Sequence, residues 1–97
     1  MDIVYDSHLL DRLKERNIPE EWPREIIAQA DIHYHDKMTG NYVALKRISF
    51  KGKERYVAVV YTIAGSRVKA ITAHPLQENQ KESRVKSGRW IEVGSDR

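Results

Sequence analysis

The chain has 97 residues, 40% hydrophobic and 32% charged, which suits one soluble globular domain over residues 1–97 with a single modest core and leaves no room for a second. No apolar run approaches the roughly 18 to 20 residues of a membrane span, and the opening MDIVYD lacks the basic and apolar regions of a signal peptide, so a cytoplasmic protein is expected. Zero cysteines exclude disulfides, a thiol nucleophile and thiolate metal sites, while a net charge of +3 conceals an acidic front, −4 over residues 1–41, and a basic middle, +6 over residues 42–74.

In chain order, Asp6 or Ser7 can cap a first helix over about residues 7–16 that carries Leu9, Leu10 and Leu13. Asn17 suits the left-handed position after its end, and Pro19 blocks continuation. EEWPREIIAQAD reads as a second helix ending near Ala30, with Pro23 tolerated in its first turn and Trp22, Ile26, Ile27 and Ala30 on its apolar side. From Ile32 the period changes to two. IHYH, YVALKRISF, RYVAVVYTI and RVKAITAH, separated by DKMTGN, KGKE and AGS, predict a four-stranded antiparallel meander. Val57, Val59, Tyr61 and Ile63 on one parity and Ala58 and Val60 on the other make the third of these strands apolar on both sides, hence central. After Pro75 the polar QENQKESRVKS can form a short helix, and RWIEV an edge strand after Gly88. The expected class is α+β: two N-terminal helices packed on a four-stranded antiparallel sheet, with a short C-terminal helix or edge strand.

The candidate chemistry rests on histidines and cations. Asp31, His33 and His35 share one side of a strand, a spacing that can begin a metal site or simply mark an exposed edge, and no further histidine or cysteine lies near them in sequence. His8, Arg12 and Arg16 recur every four residues along one side of the first helix, either as a functional row or as a solvated face. His74 ends a strand beside Thr72, where the chain opens into a loop and catalytic groups often sit; Arg84, Lys86 and Arg89 follow closely enough to fold back to the same rim. A strand-capping histidine before a solubilising tail is the alternative. Trp90 either stacks a nucleobase or packs on the core. The basic middle suits a polyanion or a solvated sheet face. Glycine-rich phosphate loops, G-x-S-x-G and H-E-x-x-H are all missing, which argues against NTP hydrolysis and zinc-protease chemistry.

The order H-x-x-x-R (His8, Arg12), R-N-I-P (Arg16 to Pro19), a second helix, a basic sheet, T-x-H-P (Thr72 to Pro75) and R-x-K-S-G-R-W (Arg84 to Trp90) resembles the small toxin-like proteins grouped near the RelE and BrnT toxins. The resemblance runs from about Ser7 to Ile91. It implies a barnase- or colicin-type endoribonuclease fold, RNA cleavage without a metal or other cofactor, and pairing with a small antitoxin protein that covers the active face. Asn17 stands where relatives often have glycine, a change that keeps the left-handed conformation open.

Metal-free RNA cleavage needs a base for the 2′-hydroxyl, an acid for the leaving oxygen and cations around the phosphate. On the resemblance, the expected catalytic set is His74 as base or acid, His8 as its partner, and Arg84 and Lys86 on the phosphate, with Arg12, Arg47, Arg55, Arg89 and Trp90 along the RNA path. The rival expectation is a non-catalytic nucleic-acid-binding or protein-interaction module that uses the same basic sheet.

Overall fold

The computed structural model describes residues 2–93. Its elements are β1 (Asp2–Tyr5), α1 (Leu9–Arg16), α2 (Trp22–Gln29), β2 (Ile32–Asp36), β3 (Tyr42–Phe50), β4 (Lys53–Ala64), β5 (Arg67–Pro75), α3 (Gln80–Lys86) and β6 (Trp90–Glu92). The strands form one sheet in the order β1-β5-β4-β3-β2-β6. The α+β class stands, but the sheet is six-stranded and mixed rather than four-stranded and antiparallel. The predicted meander is its interior; β1 and β6 were added at the two edges. β1 runs parallel to β5, with Asp2 opposite Arg67 and Tyr5 opposite Ala70. A strand of four residues has no measurable period, and its partner lies at the far end of the chain, so local pattern could not reveal it. The short helix and the edge strand after Pro75 both form.

α1 starts at Leu9, with His8 at the cap position and no side-chain cap bond. Asp6 stands just outside and accepts the His8 N–H at 3.2 Å. The helix ends as expected on Asn17, at φ 58° and ψ 41°, where the Ile18 N–H returns to the Leu13 carbonyl at 2.9 Å. Leu9 and Leu13 are buried, while Leu10 is turned outward. α2 carries Pro23 in its first turn, buries Ile26 and Ile27, and sets Trp22 against Phe50 at a ring separation of 5.9 Å. The β3–β4 hairpin turns on Lys51 and Gly52, both at positive φ (54° and 76°). That is the twist a two-residue hairpin loop needs, and it leaves Gly52 no cheap replacement.

β4 is apolar on both sides. Val57, Val59 and Tyr61 face α1 and α2 and join Leu9, Leu13, Ile26, Ala44, Val68, Ala70 and Ala73 in the main core. Ala58 and Val60 face α3, where Tyr34, Val43, Leu45, Leu76 and Trp90 make a second, smaller core. A bulge decides what β5 presents to each side: Val60 lies opposite Thr72 but Tyr61 lies opposite Ala70, so Ile71 is the extra residue. Up to Ala70 the even-numbered residues point into the main core. After Ile71 the parity reverses, Ala73 takes the core side, and Thr72 and His74 emerge on the α3 side. Without that single inserted residue, His74 would lie on the same side as Val68 and Ala70, beneath α1.

Candidate functional site around His74

Past Tyr5, β5 loses its β1 neighbour, and α1 runs alongside its free edge instead. Arg12 donates from Nη1 to the carbonyl of the bulged Ile71 at 3.3 Å. One turn further on, Arg16 donates from Nη1 to Thr72 Oγ1 at 3.0 Å and to the Ala73 carbonyl at 2.9 Å. The bulge and the strand edge leave carbonyls that no neighbouring strand takes, and the two guanidinium groups satisfy them. Arg16 thereby brings a positive charge round the sheet edge to the side where His74 sits.

From the other direction Arg84, on α3, is half-buried with its guanidinium carbon 5.6 Å from the centre of the Trp90 ring. His74, opposite Ala58 on the α3 side, feels the charge of both cations. Its pKa is depressed below the ordinary histidine value, first by burial, then by the Arg16 charge and the Arg84 charge. The imidazole is therefore neutral at pH 7, in the form that accepts a proton, and the charges acting on it are both cations. A strand-end imidazole, a threonine hydroxyl and two guanidinium groups make a site that attracts an anion and can take a proton beside it.

The other expected catalytic residues do not join them. His8 is exposed at the start of α1, two turns before Arg16. At 1.5 Å per residue that places it about 12 Å back along the helix from Arg16, beside Asp6. Lys86 is exposed at the end of α3 and lies two positions from Arg84, about 200° round the helix, so the side of α3 that holds Arg84 over Trp90 turns Lys86 away.

Of the expected RNA-path residues, Arg89 and Trp90 are taken up by the fold. Arg89 forms a two-pronged pair with Asp36, Nε to Oδ1 at 2.9 Å and Nη2 to Oδ2 at 3.0 Å. Asp36 is 5% exposed and also accepts the Met38 N–H at 2.9 Å and the Trp90 indole N–H at 3.4 Å. Burial alone would raise the Asp36 pKa; the Arg89 and Met38 bonds, the Arg89 charge and the Trp90 bond together hold it below the ordinary aspartate value. Trp90 is itself 5% exposed and stacks on Tyr34 at 5.3 Å, which is packing rather than a platform for a base. Arg12 bonds the strand edge at Ile71, one helical turn before Arg16 and farther from His74 along β5. Arg47 and Arg55 leave the free end of the β3–β4 hairpin on opposite sides of the sheet: Arg47, on the α3 side, pairs with Glu54 (Nε to Oε1, 3.3 Å) against the Tyr56 ring, while Arg55, in register with Ile48, donates from Nη2 to the Leu76 carbonyl at 3.0 Å.

The three residues with metal-ligand spacing have other partners. Asp31 accepts the Arg47 N–H at 2.9 Å, His33 Nδ1 lies 2.8 Å from the Tyr61 hydroxyl, and His35 rests against the Tyr42 ring. Among the described residues no group of three His, Cys, Asp or Glu side chains is placed to hold a metal ion. Sequence reasoning left Arg16 out of the site. Its four-residue spacing from Arg12 was the available signal, but only the packing of α1 along β5 shows what that spacing is for. Comparison with family models, with curated proteins and with solved structures finds no match to this chain.

Proposed function

We propose that this protein is a metal-independent endoribonuclease whose working group is His74, acting as the toxin of a toxin-antitoxin pair. The observation that carries the reading is a half-buried imidazole at the end of β5 on the α3 side of the sheet, next to the Thr72 and Ala73 groups that bind Arg16 and under the charges of Arg16 and Arg84. In the proposed reaction His74 accepts the proton of a ribose 2′-hydroxyl while the 2′-oxygen bonds to the neighbouring phosphorus. The bond from phosphorus to the 5′-oxygen breaks, leaving a 2′,3′-cyclic phosphate and a 5′-hydroxyl. Arg16 and Arg84 offset the charge that accumulates on the phosphate oxygens. The leaving oxygen takes its proton from water, because His8 stands at the far end of α1.

The test is a gel of RNA incubated with the protein in excess chelator. The parent should cut, His74→Ala should lose on the order of 10²- to 10⁴-fold in rate, and Arg84→Ala on the order of 10²- to 10³-fold. Undiminished cutting by His74→Ala would remove the residue assignment. The toxin role adds that expression should arrest growth and that a small protein covering the α3 side should relieve the arrest.

One observation favours a second reading: among the described residues, the charges that act on His74 are those of two cations, Arg16 and Arg84. A module that only binds a polyanion on this surface needs no acid. That reading expects binding that weakens steeply with salt and no product at any time.

A further inference from the structure

We infer that the cleft at the free end of the β3–β4 hairpin is a phosphate-binding subsite that holds single-stranded RNA next to His74; this rests on the RNA-cleaving reading and extends it to the substrate. Beyond Leu45 and Val57 the hairpin projects past its neighbours β2 and β5. Residues from both sides of its end, Arg47 and Tyr56 on one and Lys53 and Arg55 on the other, enclose with the segment from Leu76 into α3 a cleft of about 290 Å³. That is the small end of ligand pockets, with room for a phosphate and its sugar and none for a duplex.

Four cations line it: Arg47, Lys53, Arg55 and Lys81. The floor is the Tyr56 ring, with the Arg47 guanidinium carbon 5.4 Å and Lys81 Nζ 5.6 Å from its centre. The ring's negative face holds both cations at the cleft. Glu54 occupies Arg47, but Lys53, Arg55 and Lys81 have no carboxylate within ion-pair distance among the described residues. Arg55 is the more telling of these, because its Nε is buried without a partner while Nη2 is fixed to the Leu76 carbonyl. A guanidinium held this way keeps its charge at the cleft with little freedom left to lose when an anion arrives.

The cleft adjoins the His74 site through the chain itself. The Leu76 N–H bonds the Tyr56 carbonyl at 2.9 Å, and Leu76 is two residues beyond His74, about 7 Å of extended strand. An RNA strand with its scissile phosphate at His74 thus reaches the cleft with a neighbouring phosphate. The fit is to a single strand, whose backbone can bend into a narrow cationic groove. Glu78 and Glu82 also line the cleft and oppose the anion.

The experiment measures binding of a short fluorescent 2′-O-methyl oligonucleotide, which cannot be cut because its 2′-oxygen is blocked, across a range of salt. Lys53→Gln/Lys81→Gln should bind on the order of tenfold more weakly, and the slope of log affinity against log salt should flatten by about 0.7 for each phosphate contact removed. A 2′-O-methyl dinucleotide, whose single phosphate can occupy only one of the two sites at a time, should show a smaller difference between the variant and the parent. Glu78→Gln/Glu82→Gln should tighten oligonucleotide binding, a gain that a damaged fold would not give. Unchanged affinity and slope in both double variants, or a parent that binds no oligonucleotide, overturns the subsite. Cleavage that depends on His74 is scored separately on unmodified RNA, so either proposal can fall while the other stands.

Discussion

The two sides of the sheet use the same strands and differ in what covers them. Under α1 and α2, side chains from both helices and from β3, β4 and β5 close a continuous apolar core, and the partly buried Trp22, Tyr42 and Ile48 pack around it. Among the described residues the opposite side is covered by the short α3 and by Leu76. Its smaller core stops at Ala58 and Val60, and the next residues along β5 on that side are His74 and Thr72. Charge follows cover. The large core itself holds no cation, the half-buried Lys46 standing at its margin opposite Val57, whereas the margin of the small one holds Arg84 and receives Arg16 round the sheet edge. The incomplete side holds the proposed chemistry because an imidazole there is dry enough for a lowered pKa and still open to a phosphate.

If that contrast is correct, the largest effects separate the sides by kind of damage. His74→Ala should leave thermal unfolding close to the parent and remove most RNA cleavage, the 10²- to 10⁴-fold above corresponding to about 3 to 5 kcal/mol of barrier. Leu13→Ala, beneath α1, should do the reverse. It should cost about 3 kcal/mol of stability in a urea titration and leave the cleavage rate of the folded fraction unchanged. A cleavage loss in Leu13→Ala beyond its unfolded fraction would show that the two sides are not independent.

Next in size is the tie that fastens β6 and Trp90 to the sheet. Asp36→Asn should lower stability by about 2 kcal/mol, since the Arg89 guanidinium loses its counter-charge and the 5%-exposed site keeps its polar demand. The depressed Asp36 pKa sets the direction with pH. Its contribution is present above the ordinary aspartate pKa and is lost as pH falls through the lower folded value. Asp36→Asn should therefore show a shallower acid limb than the parent stability curve, measured below about pH 4, with the lowered Asp6 carboxyl keeping its own share.

The smallest expected effect belongs to His74. Its folded pKa is lowered, so below the ordinary value near 6.5 the unfolded chain takes up a proton that the folded chain resists. Parent stability should decline as pH drops from about 6.5 toward that lower pKa, and His74→Gln should decline less over this window. A parent curve as flat as the variant's would mean that the imidazole is not shielded from water, and the contrast between margin and core would lose its electrostatic basis.

Much of the fold follows from local chemistry. The leucines of α1, Pro23 in the first turn of α2, Asn17 after the end of α1 and the period-two runs from Ile32 to His74 each state a backbone preference within a few residues of themselves. The doubly apolar pattern of β4 likewise located it inside the sheet. His74 and Arg84 were legible as candidates because a histidine at a strand exit and cations soon after it are visible in the sequence. His8, Lys86, Arg89 and Trp90 were visible too, and nothing local separated them from the residues that do converge.

The sequence by itself determined the helices, the antiparallel interior of the sheet and the basic character of its middle segment, because these depend on hydrophobic period, caps and charge over a few residues. Only the tertiary structure decided that β1 joins β5 in parallel, that Ile71 bulges and turns His74 to the α3 side, that Arg16 rather than His8 stands beside it, and that Arg89 belongs to Asp36 at a separation of 53 residues. Each of those outcomes is a pairing between distant segments. Its free energy depends on which unpaired carbonyl, carboxylate or strand edge happens to lie opposite once the core has closed, and no local preference encodes that.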